Sequence, residues 1–196
     1  MRILQYGFFG EDAPQKIFLD NYLNRLNQEH KRSCQFRGQE QFNQLFQGRD
    51  RNGVKHGVGI AAEQGLGLPR FKLDCLFVGL DLDSNLPTIY EHEARVVREK
   101  IPESLRSRTL LMLPMQCIEH WVLYVKRGEH QAESLEALSN RAVQEELYGG
   151  KIASSRKKEV VQELTKDLRI NWLANRSPTF NFFNQQVKKY LSNTMA

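Results

Sequence analysis

Two carboxylates, Asp81 and Asp83, close the apolar run "KLDCLFVGLDLDS" (72–84), where a segment serving only a core has no use for charge. In an extended segment side chains alternate, so residues two apart face the same side and both acids are placed to face one cation. Glu11 and Asp12 follow a second apolar segment, "RILQYGFF" (2–9), and Glu119 opens "CIEHWVLYVKRG" (117–128). Carboxylates brought together repel one another and their pKa values rise unless a cation neutralises them. An all-oxygen donor set with water in the remaining positions suits Mg²⁺ or Mn²⁺, which binds a phosphate and lowers the pKa of an attacking water. The plainer reading is that Asp81 and Asp83 cap the next helix and bind solvent.

The elements between these acids set where they can meet. "RILQYGFF" reads as a short buried strand stopped by Gly10, and "APQKIFLDNYLNRLNQEH" (13–30) carries Ile17, Phe18, Tyr22, Leu23 and Leu26 on a helical stripe with Pro14 in its first turn. "CQFRG" (34–38) predicts a second strand and "QEQFNQLFQ" a short helix. Residues 72–84 predict the strongest strand, 88–101 a helix, "TLLMLPMQ" (109–116) a strand cut short by Pro114, and 117–128 a helix. Strands alternating with helices predict an α/β fold with a mostly parallel central sheet flanked by helices. In such a sheet ligands collect beyond the carboxyl ends of the strands, the edge to which Glu11, Asp81, Asp83 and Glu119 are delivered. Residues 131–196 read as helices throughout, including a Ser-Pro start at 177–178, and predict a helical extension packed on an α/β domain of residues 1–130.

Composition narrows the class. At 196 residues the chain suits one domain with a sizeable core, and 26% charged with 40% hydrophobic residues excludes a disordered or fibrous chain. No apolar run reaches the length of a membrane span and no signal-peptide pattern opens the sequence, so a cytoplasmic protein without membrane contact is expected. Cys34, Cys75 and Cys117 are odd in number and lack zinc spacing, which predicts buried thiols. The net charge of +5 leans towards polyanionic partners.

The order of acids resembles a family pattern. A Glu just after the first strand, an apolar helix, then an apolar strand ending in DxD is similar to the Toprim domain of topoisomerases, DnaG-type primases, OLD-family nucleases and small stand-alone bacterial Toprim proteins. The stretches "EDAPQKIFL" (11–19) and "IEHWVLY" (118–124) resemble the motifs "EGxTExxFL" and "IExWLL" of the last group, over roughly residues 3–125. Asp12 stands in place of the family's glycine and Gln15 in place of its second acid. The resemblance implies a Toprim-like fold and a Mg²⁺- or Mn²⁺-dependent endonuclease. Glu11, Asp81, Asp83 and Glu119 would hold metal, Glu11 and Glu119 would act in catalysis, and Lys151 would stabilise charge on the phosphate. It also implies a role in anti-phage defence and a partner ATPase. A catalytically reduced binding or regulatory subunit is the alternative that Asp12 and Gln15 favour.

Other segments bear on binding. "YGGKIASSRKK" (148–158) gathers Lys151, Arg156, Lys157 and Lys158 near a helix start, where positive charge opposes the macrodipole and a nucleic-acid backbone, DNA or RNA, would relieve it. Residues 48–70 hold six glycines without a complete GxGxxG or GxxxxGK[ST], and predict a flexible loop or a loop with one helical turn rather than a phosphate cradle. His120 beside Glu119 is a candidate proton carrier, although Trp121 suggests a packed helix with His120 on its polar face. Tyr148, Phe180, Phe182 and Phe183 suit either base stacking or, better, a core stripe.

Overall fold

The computed structural model describes residues 1–30, 33–130, 134, 135, 137–150 and 152–195. Strands β1 (Arg2–Gly10), β2 (Cys34–Gly38), β3 (Cys75–Gly79) and β4 (Thr109–Met112) form an all-parallel sheet in the order β2-β1-β3-β4. Helices α1 (Ala13–Glu29), α2 (Glu40–Leu45), α3 (Arg51–Ala62), α4 (Pro87–Glu99), α5 (Glu103–Arg106) and α6 (Ile118–Arg127) lie between and after the strands. They are followed by α7 (Asn140–Tyr148), α8 (Ser154–Thr165), α9 (Ile170–Arg176) and α10 (Pro178–Met195). The chain is therefore α/β, with a parallel sheet flanked by helices.

Alternation along the strands divides the core in two. Leu4, Tyr6 and Phe8 of β1, Cys75 and Phe77 of β3, and Leu110 and Met112 of β4 pack on one face with α1, α6 and the C-terminal helices. Phe9, Leu76, Val78 and Leu111 pack on the other with α3 and α4. Every residue of β3 and β4 is buried, as covered strands require. Val161, Leu173, Phe180 and Phe183 join Phe18 and Trp121 in the first cluster, so the C-terminal helices close that face of the sheet. Each such side chain contributes about 1.5–3 kcal/mol by leaving water.

The sheet edges are closed by side-chain amides. On β2, Phe36 N donates to Asn27 Oδ1 at 2.6 Å and Asn27 Nδ2 donates to Phe36 O at 3.0 Å. On β4, Leu111 N donates to Gln186 Oε1 at 3.1 Å and Gln186 Nε2 donates to Leu111 O at 3.0 Å. Both pairs satisfy backbone groups that an edge strand leaves without a partner.

Three expectations need correction. The glycine-rich stretch is largely helical: Asp50 Oδ1 caps α3 by accepting from Gly53 N at 2.7 Å, and a π-helical turn (Glu63–Gly67) continues it. Its glycines serve close approach rather than flexibility, since a Cβ on Gly53 would lie 1.9 Å from Gly48 O and one on Gly57 2.8 Å from the Phe9 ring. The central strand is also shorter than 72–84, ending at Gly79. Finally, the helical stretch 155–176 is broken between Thr165 and Ile170. The three cysteines are buried thiols, and among the described residues no helix is long and apolar enough to cross a membrane.

Candidate carboxylate site

Register brings the acids to one edge. Gly10 of β1 pairs with Gly79 of β3, which pairs with Met112 of β4, so these three strands end level. Glu11 leaves β1 there and Asp81 lies two residues beyond β3. Glu11 Oε1 accepts from Asp81 N at 2.6 Å across a separation of 70 residues. Asp12 Oδ1 accepts from Gln15 N at 3.0 Å and starts α1.

Gln15, fully buried, ties the two strand ends together. Its Nε2 donates to Asp81 Oδ1 at 2.8 Å and its Oε1 accepts from Glu11 N at 3.2 Å. The paired glycines leave room for it, because a Cβ on Gly10 would meet Gln15 Oε1 at 2.9 Å and one on Gly79 at 2.4 Å. Asp81 Oδ1 accepts a second bond from Ile118 N at 3.2 Å, at the N-terminus of α6, where the helix dipole favours a negative charge.

Glu119, on the first turn of α6, is buried, with Tyr148 Oη donating to its Oε1 at 3.4 Å and Lys157 Nζ 3.5 Å from the same oxygen. His120 is not on a polar face: it is fully buried, with Nε2 2.8 Å from Leu138 O and Nδ1 3.4 Å from Cys117 Sγ. The carbonyl at Nε2 requires a proton on that nitrogen, which leaves Nδ1 to accept from the thiol. Burial, with the charges of Glu119 and Asp81, pushes the Cys117 thiol up, so Cys117 is a thiol rather than a thiolate.

Asp81 and Asp83 sit in different surroundings, Asp83 being the more exposed. Both lie beyond β3, and Asp83 takes a left-handed backbone with φ of 49°. There Arg51 Nη1 stands 3.4 Å from Asp83 Oδ2 and donates to Leu82 O at 3.0 Å. Arg51 also pairs with the buried Glu93 at 3.0 Å, which Lys55 meets at 2.5 Å. Burial raises the Glu93 pKa, but the hydrogen bond and charge of Lys55 and the charge of Arg51 outweigh it, and the net shift is downward.

At this edge burial and the neighbouring carboxylates outweigh the nearby cations. Burial, then the charges of Asp83 and Asp12, push Glu11 up from 4.5 to about 7, against the lowering effect of its bond from Asp81 N. Asp81 is raised well above the carboxylate range by burial and by Glu11, Glu119 and Asp12. Asp12 is raised by burial and Glu119. All donors here are oxygens of the kind a hard cation takes, which fits Mg²⁺ or Mn²⁺ by chemistry. Among the described residues no three acids, histidines or cysteines converge as a ready set of metal ligands.

A cavity of about 290 Å³ opens beside Glu11 and Asp12, lined also by Lys16, Asn43, Phe46 and Lys158. Of the basic residues expected to meet nucleic acid, Lys158 faces this cavity and Lys157 is engaged with Glu119. Arg156 is exposed and paired with Glu159 at 2.8 Å, and Lys151 lies outside the described residues. Sequence reasoning did not assign Lys16, Asn43 or Arg51 to the site. Lys16 follows Glu11 by little more than one helical turn, which was the available signal. Arg51 was hidden in a stretch read as loop, and Asn43 carried no signal. No family model, curated protein or solved structure matches this chain.

Proposed function

We propose that the chain is a divalent-metal-dependent nuclease of Toprim type, hydrolysing phosphodiester bonds of DNA or RNA. The observation that carries this reading is the meeting of Glu11 and Asp81 beyond adjacent parallel strands, with Asp12 and Glu119 close enough to raise the Asp81 pKa. Glu11 and Asp81 would hold Mg²⁺ or Mn²⁺, with Asp83 and Glu119 as further carboxylates. The bound ion would supply a Lewis acid for the phosphate and a water of lowered pKa. The chain's own contributions are distinct. Gln15 fixes the Asp81 carboxylate, and Lys158 at the adjoining cavity supplies positive charge for a phosphate. Lys151 is retained as the expected charge-stabilising lysine on sequence grounds alone. A role in anti-phage defence with a partner ATPase belongs to the same reading.

A second reading, a catalytically reduced binding subunit, is favoured by one feature: Gln15 occupies Asp81 and Arg51 occupies Asp83. Incubation with plasmid DNA and with total RNA in Mg²⁺, Mn²⁺ or EDTA separates the two. Cleavage that EDTA abolishes supports the nuclease, and nucleic-acid binding without cleavage in either metal supports the binding subunit.

A further inference from the structure

At the edge of the sheet opposite the carboxylates, where β4 begins, a second cavity of about 290 Å³ is lined by Arg98, Arg106, Lys189, Ser107, Asn193 and Gln186 among others. No acidic side chain lines it. Arg106 Nε donates to Ile101 O at 3.0 Å and Arg98 Nη2 donates to Gln186 Oε1 at 3.3 Å, so both guanidinium groups are held in place by neutral oxygens. Gln186 is itself anchored to Leu111 on the edge strand. Among the described residues none of the three cations forms an ion pair. Cations gathered without acids repel one another, and an anion with several acceptor oxygens removes that cost.

The helices that carry Arg98 and Lys189, α4 and α10, also carry an aromatic step. Phe182 of α10 is 51% exposed and lies over Tyr90 of α4, with centroids 4.8 Å apart and an interplanar angle of 32°. Its neighbours Phe180 and Phe183 are fully buried, so core packing does not explain the third ring. Tyr90 precedes Arg98 by eight residues and Phe182 precedes Lys189 by seven, which sets the rings roughly 10–12 Å from these two cations along the α4–α10 seam. A stacking face followed by a basic groove is the arrangement that holds single-stranded nucleic acid, with bases on the rings and phosphates on the cations. We propose that single-stranded nucleic acid lies along this seam, its phosphates at Arg98, Arg106 and Lys189 and a base on Phe182. This surface is separate from the carboxylate edge and does not depend on metal chemistry there.

The test is fluorescence anisotropy of a labelled oligo-dT and of a duplex of equal length, in EDTA, between 50 and 200 mM salt. The proteins are the wild type, Lys189→Gln, Arg106→Gln/Lys189→Gln and Phe182→Ala, each checked by circular dichroism. The expected result is oligo-dT binding that the double variant weakens at least tenfold, with the log–log salt slope reduced by about 1.4 for two lost single-strand phosphate contacts. Lys189→Gln alone, at an exposed side chain, should reduce the slope by about half as much. Phe182→Ala should weaken binding at least fivefold with the slope unchanged, because stacking releases no counterions. Unchanged oligo-dT affinity in both Lys189→Gln and Phe182→Ala overturns the proposal. Duplex binding that equals single-strand binding and ignores Phe182 overturns it as well.

Discussion

The side-chain amide of Gln15 donates to the carboxylate of Asp81 at 2.8 Å, joining the first turn of α1 to the chain beyond β3. An amide can do this at any pH, whereas an acid at the same place can do so only while protonated. The motif that residues 11–19 resemble has a glutamate there, and the difference changes what the Asp81 carboxylate meets.

Gln15→Glu should therefore destabilise the protein in a pH-dependent way. Above neutral pH the new carboxylate faces Asp81 and the donor is lost, at a cost of about 1–3 kcal/mol. Near pH 5 the protonated acid can donate and most of the loss should be recovered. Thermal melts of both proteins across this range check the sign. A deficit that does not vary with pH would remove Gln15 from the electrostatics of the site.

Glu11→Gln should flatten one part of the stability profile. Glu11 is pushed from 4.5 up to about 7 when folded, so its contribution is fully present below about pH 4.5 and is lost as pH rises through 7. Relative to wild type, the Gln variant should gain about 1–2 kcal/mol between pH 4.5 and 8, once solvent screening at a partly exposed group is allowed for. That is several degrees in Tm for a chain of this size. Differential scanning calorimetry in metal-free buffer measures it, and parallel profiles would contradict the pKa assignment.

Gly53→Ala distinguishes a close-packed helix from a flexible loop. The added methyl would meet Gly48 O, so a loss of about 1–3 kcal/mol is expected, whereas in a mobile loop the same change would gain about 0.4–1 kcal/mol. Urea denaturation reads the sign.

The two adjacent lysines should separate in their effects. Lys158→Ala, at the cavity beside Glu11, should leave stability within about 0.5 kcal/mol and lower the salt slope of nucleic-acid binding by about 1. Lys157→Ala removes a partner from the buried Glu119 and should cost stability while changing the slope less. Melting temperatures and salt titrations of the two variants check this, and interchangeable behaviour would show that Lys157 does not serve Glu119.

The legibility of this fold follows from where its energy lies. The strands and α1 were readable because burial on both faces forces continuous apolar runs and a clear stripe, and "CQFRG" coincides with β2. α3 was not, because glycine lowers helix propensity, and the close approaches that call for it at Gly57 and Gly59, to the Phe9 ring and to Lys100 O, come from tertiary contact. The meeting of Glu11 with Asp81 could be anticipated from parallel topology alone. The pairing of Asp83 with Arg51 could not, since it depends on β3 ending at Gly79 and on Arg51 lying on a helix that the pattern concealed. Gln15 was legible only as a missing acid, and its bonding role required the paired glycines beneath it.

Whether Glu11 and Asp81 hold a catalytic cation is decided by the initial cleavage rate of plasmid DNA and total RNA by wild type, Glu11→Gln and Asp81→Asn, in Mn²⁺ and in EDTA, alongside Mn²⁺ titration calorimetry. Metal-dependent cleavage by wild type is expected, with loss of at least a hundredfold in each variant while the fold stays intact by circular dichroism, and weakened Mn²⁺ binding in both, because an amide keeps the shape and removes the charge a hard cation needs. Undiminished cleavage or unaltered Mn²⁺ affinity in both variants would contradict it.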